Sequence, residues 1–160
     1  MAHSHYTVPG LLRDYRVLST YSRTVGTPDL MREVDGVTRI ALPDVWIQNA
    51  LRRDAVDDAV ACWFENVEHE RIRHAADALI KACPSRTDIL VSGRLRQADY
   101  QIGRATRSRY RRACKILNAL RNELNKANAS QLWMLAIDDV LRRYGHRPAL
   151  VDELEKASVI

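Results

Sequence analysis

Glycine and proline are both scarce in this chain, 6 and 5 of 160 residues, too few for a low-complexity or collagen-like protein. Cysteine is scarcer still. Cys62, Cys83 and Cys114 are odd in number, widely spaced and set among apolar or helix-forming neighbours, which argues against a disulfide framework and for buried free thiols. No apolar run approaches the ~20 residues that a membrane-spanning helix needs; the best is Leu132-Trp133-Met134-Leu135-Ala136-Ile137, so no membrane association is expected. The opening residues Met1 to Thr7 lack the basic and apolar regions of a secretory signal, which makes the cytoplasm the expected location.

Catalytic signatures are missing as well. There is no Gly-x-Ser-x-Gly elbow to expose a nucleophilic serine and no glycine loop to cradle phosphate. The ligand-dense segment Glu65 to His74 places His69 and His74 five residues apart, about 140° apart around a helix, whereas paired histidine ligands need a spacing of four. It reads as a solvated turn between helices. His3 and His5 form an isolated pair on a flexible end, without further ligands. In the small helical ribonucleases of the HEPN type, four to six residues separate an arginine from a histidine; His146 follows Arg142 with three between them and sits after Gly145. No cofactor, metal or catalytic residue is expected, and the chain is read as non-enzymatic.

What is present is helical periodicity, since no stretch alternates apolar and polar residues for long. Only Val37 to Leu42 reads as extended, and it has no partner strand. A first helix is expected after Pro9, with Leu11, Leu12, Tyr15, Leu18 and Val25 on one face and Gly26-Thr27-Pro28 as its end. A short helix holding Leu30, Met31 and Val34 precedes a turn at Asp35-Gly36, and Pro43 opens the next, with Val45, Trp46, Ala50 and Leu51 inward. Asp54 is the expected N-cap of a helix burying Val56, Ala59, Val60, Trp63, Phe64 and Val67. Ile72 to Ile80 forms the next stripe, closed by Pro84. Asp88 to Ile102, with Gly93 as a weak point, Ser108 to Leu124, Leu132 to Leu141 stopped by Gly145, and a last helix opened by Pro148 complete the series.

The expected fold is therefore all-α: about eight short helices in antiparallel hairpins, as a helical-repeat-like bundle or short solenoid. One domain spans residues 1–160, with residues 1–7 disordered. Ala59 to Phe64 and Ala113 to Leu117 both place a small residue one turn before bulky ones, a pattern that a repeat and ordinary close helix packing share.

Charge divides the chain. Residues 1–80 hold 9 Lys/Arg and 12 Asp/Glu, a net −3; residues 81–160 hold 16 and 8, a net +8. Between Arg94 and Lys126 ten basic residues face only Asp99 and Glu123. If the helix extends back to Arg104, then Arg104, Arg107 and Arg111 share a face, and Arg109 and Arg112 form a stripe turned away from Tyr110, Ala113 and Leu117. Arg104, Arg107, Arg109, Arg111, Arg112 and Lys115 are the expected contacts, for nucleic acid or for an acidic partner such as the carboxylates Asp54, Asp57, Asp58, Glu65, Glu68 and Glu70 of the first half. A helix-turn-helix is a further alternative, built on Leu95, Ala98, Ile102 and Gly103 leading into a basic second helix.

The run Tyr110-Arg111-Arg112-Ala113-Cys114-Lys115-Ile116-Leu117, then Leu132-Trp133, then Leu141-Arg142-Arg143-Tyr144-Gly145-His146-Arg147-Pro148-Ala149-Leu150 with Leu154, resembles the helical, tetratricopeptide-like tail of microbial SWIM-type zinc-finger proteins. The likeness covers roughly residues 70–157. That family's Cys-x-Cys and Cys-x-His ligands are absent here, so zinc binding is not implied. The resemblance implies a stand-alone helical interaction module of unknown partner. The residues themselves lead to the expectation of a protein partner, or of self-association through opposite charges, with Trp63, Phe64, Leu117 and Trp133 as core; nucleic acid, held by the basic region 94–126, is the alternative partner.

Overall fold

A computed structural model describes the chain from Pro28 to Ile160, with side chains from Val34 onward. The expected first helix after Pro9, the pair His3 and His5, and the disordered start lie outside the described residues. Every regular element among the described residues is helical: α1 (Pro28–Ala41), α2 (Pro43–Arg52), α3 (Val56–Glu65), a 3-10 turn (Ile72–Ala75), α4 (Ala76–Ala82), α5 (Thr87–Gly103), α6 (Arg107–Lys126), α7 (Gln131–Tyr144) and α8 (Pro148–Lys156). None of these helices is long and apolar enough to cross a membrane. The sequence reads as one domain; the packing resolves two compact units, one ending at Ala75 and the other running from Ala76 to Ile160.

In the first unit α2 is the hub, packed by α1, α3 and the 3-10 turn. It buries Trp46, Ile47 and Ala50, at the three- and four-residue spacing of one helix face. Polar groups taken out of water there are matched. The Trp46 indole N–H donates to Asp35 Oδ1 at 2.9 Å, and Arg71 meets the buried Asp44 through two hydrogen bonds of 3.0 and 3.2 Å. Arg39 pairs with Glu65 at 2.9 Å while its guanidinium lies 4.6 Å from the Trp46 ring centre.

Four expectations for this unit are corrected. Asp35-Gly36 does not turn the chain, and Val37 to Ala41 is not extended: α1 runs through both, and only Leu42 lies between it and α2. Val34, Thr38 and Leu42 recur every four residues on its buried face, and the Thr38 hydroxyl donates to the Val34 carbonyl at 2.6 Å, so burial of one helical face outweighs glycine and β-branching. Asp54 is not an N-cap. It ends α2 with φ 60°, the Ala55 N–H reaches back to the Ala50 carbonyl at 2.9 Å, and Ala55 becomes the N-cap residue of α3. Phe64 is 43% exposed, whereas Ala59, Cys62 and Trp63 fill the core.

The same ending recurs. Asn128 (φ 55°) and Ser158 (φ 54°) close α6 and α8, with the following N–H bonded to the carbonyl five residues back, Ala129 to Leu124 and Val159 to Leu154, both at 2.9 Å. This is the hydrogen bond of a Schellman ending, usually left to glycine. At these three ends the glycine-poor chain uses short polar residues in the left-handed region.

The second unit centres on α6, whose 20 residues span about 30 Å. Tyr110, Ala113, Cys114, Leu117, Leu120 and Leu124 line its inner face and join Ala98 and Ile102 of α5, Trp133, Ile137 and Val140 of α7, and Leu150 and Leu154 of α8 in one core. Helix α5 runs antiparallel to α6 along its length. Arg94, early in α5, pairs with Glu123, late in α6, at 2.7 Å, and Gln101 near the end of α5 accepts from Arg109 near the start of α6. A helix-turn-helix instead crosses its helices steeply, so that alternative is set aside. Gly93 is buried in α5 against α4, where a Cβ would lie 3.0 Å from Ile80 Cδ1 and 3.5 Å from Ala76 Cβ; it is a point of close approach and not a weak one.

We expect Gly93→Val to lower stability by about 1–3 kcal/mol through overpacking, while Gly93→Ala, which needs only the flexible end of Ile80 to shift, stays within about 1 kcal/mol of native because helix propensity improves. Urea unfolding followed by helical circular dichroism checks both, and equal losses would contradict the geometry. Ala105 closes α5 with φ 55°, a conformation that disfavours a Cβ. Ala105→Gly should therefore raise the urea midpoint, by about 0.5–1 kcal/mol of stability.

Candidate basic interface on the long helix

The cap of α6 decides which arginines share a face. Thr106 is its N-cap, its hydroxyl accepting from the Arg109 N–H at 3.2 Å, so the helix begins at Arg107 and does not extend back to Arg104. Arg104 belongs to the end of α5, where it donates to the Tyr100 hydroxyl at 2.9 Å and lies 5.1 Å from that ring's centre. The expected shared face of Arg104, Arg107 and Arg111 is thereby corrected.

Arg107 and Arg111 are tied to α8. Arg107 pairs with Asp152 at 2.6 Å and with Glu153 at 3.0 Å, and Arg111 pairs with Glu153 at 3.1 Å. The Glu153 side chain is only 5% exposed. Burial works against its charge, but the hydrogen bonds from Arg107 and Arg111 outweigh that and hold its carboxyl below the ordinary glutamate range. Asp152 is held low by Lys156 and then by Arg107. Arg109 donates to the Gln101 side chain at 3.2 Å.

Among the six expected contacts, Arg112 and Lys115 have no hydrogen bond or ion pair to any described residue. Both are exposed. With Ser108, Ala119, Asn122 and Lys126, all exposed, they form an outer stripe confined to about 80° of the helix circumference. No acidic residue lies on it. Arg112 to Lys126 spans about 21 Å. Lys126 was not among the expected contacts, although it stands eleven residues after Lys115, three helical turns that return it to the same face.

The remaining arginines of this unit are largely built into its packing. Arg94 bridges Asp77 and Glu123 at 2.8 and 2.7 Å. Asp99 receives Arg143 at 2.8 Å and the Tyr144 hydroxyl at 3.1 Å, with Arg143 and Arg147 on the Tyr144 ring at 5.0 and 5.3 Å. Burial, with Asp99 adding to it, pushes the Tyr144 hydroxyl above its ordinary pKa. Arg121 donates to the Ser158 carbonyl at 3.0 Å and lies 5.5 Å from the Trp133 ring centre.

No family model, curated protein or solved structure matches this chain. The resemblance to SWIM-protein tails thus rests on the residues quoted for it.

Other candidate chemistry is dispersed. Among the described residues no three His, Cys, Asp or Glu side chains are placed to hold a metal ion. His69 Nδ1 accepts the Arg71 backbone N–H at 3.1 Å, and Arg142, the partner considered for His146, is held by Asp139 at 2.6 Å. The three cysteines are buried and none is in a disulfide. Burial pushes Cys62 and Cys114 up to about 11, so both are protonated at neutral pH.

The cluster around Glu153 carries a pH signature. Because its native pKa is depressed, its stabilisation is fully present above the ordinary glutamate value near 4.3 and is lost as pH falls through the lower native value. Hydrogen-exchange protection of α6 and α8 should hold steady from neutral pH to about 5 and decline below about 4. In Glu153→Gln protection should be lower at neutral pH and the acid-dependent decline shallower. Equal pH profiles for the two proteins would show that the pairs contribute nothing.

Proposed function

We propose that the chain is a non-enzymatic helical interaction module whose second unit offers the outer stripe of α6 to an acidic protein surface. The observation that carries this reading is the division of the cations: Arg94, Arg107 and Arg111 are matched by carboxylates of their own unit, and Arg112, Lys115 and Lys126, beside Ala119 and Asn122, have no partner among the described residues. A short cationic line with small neutral residues at its middle lets a partner helix approach closely, with charge at both ends to set its register.

Nucleic acid fits this stripe less well. Backbone binding grows with the number of phosphates that the cations neutralise. The free stripe supplies three, and adding Arg104 and Arg109, whose partners are neutral, makes five. Nothing in this reading depends on the tetratricopeptide-like resemblance, which is compatible with it through the shared antiparallel hairpins.

The test uses the full chain and a variant with Arg112→Glu, Lys115→Glu and Lys126→Glu, leaving Arg107 and Arg111 in place because reversing them would break the pairs to Glu153. Fluorescence anisotropy is measured with labelled oligoglutamate, double-stranded DNA and single-stranded RNA over a salt series. Expected are oligoglutamate binding that weakens with salt and falls more than tenfold in the variant, and no comparable nucleic-acid binding. Micromolar nucleic-acid affinity that the variant loses would replace this reading with the nucleic-acid one.

A further inference from the structure

The first unit carries a face of opposite sign. On α3 and the turn before it, Asp54, Asp57 and Asp58 are exposed, without a cationic partner among the described residues. Glu65, farther along the same side, is already held by Arg39 at 2.9 Å. Asp57, Ala61 and Phe64 follow one another at spacings of four and three, a single line on the helix, and all three are exposed. Carboxylates in a first helical turn also favour the helix dipole, which gives Asp57 and Asp58 a local purpose. That purpose does not account for Phe64, left 43% exposed on the same line.

The two faces match in kind. Three free carboxylates stand against three free ammonium or guanidinium groups, and each face has an exposed alanine at its middle, Ala61 on α3 and Ala119 on α6. Small residues at the crossing let helices approach closely, and a neighbouring helix would cover Phe64. We infer that the partner of the α6 stripe is the α3 face of a second copy of this chain, so that copies associate head to tail. This deepens the proposed function and rests on it.

The contact is heterologous: α3 of one copy meets α6 of the next, leaving a free α6 on the first and a free α3 on the last. Such contacts grow into closed rings or open chains and do not stop at a dimer unless geometry closes them. One helix pair buries less than the roughly 1,200 Å² of a stable complex, and its ion pairs are screened by salt. The association is accordingly weak, concentration-dependent and salt-sensitive.

Sedimentation velocity of the full chain tests it. At about 50 mM salt the weight-average mass should rise at least twofold with concentration, and at about 0.5 M salt, where screening is short-ranged, the chain should sediment as a monomer. The acidic-face variant (Asp57→Lys, Asp58→Lys) and the basic-face variant (Arg112→Glu, Lys115→Glu, Lys126→Glu) should each fail to associate alone, and mixing them should restore association. Asp57→Asn with Asp58→Asn serves where the lysines unfold α3, as judged by circular dichroism, and should weaken association without abolishing folding. A native chain that stays monomeric at low salt, or variants that associate as the native chain does, would overturn the inference. If the native chain is monomeric yet binds oligoglutamate through α6, the second copy is the wrong partner and the interaction module stands. If it neither associates nor binds oligoglutamate, both readings fall.

Discussion

A carboxylate leaves water only if its charge is met, and the Glu153 side chain, 5% exposed, is met by Arg107 at 3.0 Å and Arg111 at 3.1 Å. That requirement ties α8 to the start of α6. It also aligns the apolar faces, since Leu150 and Leu154 on α8 enter the same core as Tyr110, Ala113 and Leu117 on α6. A single buried acid therefore has two effects. It closes the second unit, and it removes two arginines from the pool available to a partner.

The same logic governs the rest of the unit's charge. Arg94 between Asp77 and Glu123, and Arg143 between Asp99 and Asp139, join neighbouring helices as cross-links. Arginine suits this use because its planar fork can bond two acceptors at once. An excess of arginine over acid is then partly an inventory of fasteners. Arg107 and Arg111 stay exposed but spend their charge on Asp152 and Glu153, whereas the line of Arg112, Lys115 and Lys126 is exposed and has no acidic partner among the described residues.

Periodicity made most of the helices legible. Where apolar residues recur at three and four, as from Tyr110 to Leu124, burial of one face dictates the helix whatever its neighbours do, and the starts at Pro43 and Pro148 follow from the fixed φ of proline in a first helical turn. Local signals misled where burial opposed them. Gly36 and the β-branched Val37 and Thr38 favour a break, yet α1 continues through them because Val34, Thr38 and Leu42 share a buried face. Asp54 has the side chain of an N-cap and the backbone of a helix end. Phe64 keeps the spacing of a core residue, and only the packing around Ala59, Cys62 and Trp63 leaves it partly outside.

The candidate interface divides along the same line. That residues 94–126 are strongly basic, that the region is helical, and that Arg112 and Lys115 lie opposite Tyr110, Ala113 and Leu117 are properties of the sequence alone, because charge is counted residue by residue and a helix repeats every 3.6 residues. Which cations are free was decided by tertiary structure. Glu153 is 46 residues from Arg107 and Glu123 is 29 from Arg94, and no local rule pairs side chains so far apart. Only the folding of α8 and α5 against α6 brings those carboxylates within 3.1 Å of the arginines, cancelling some charges and leaving others exposed.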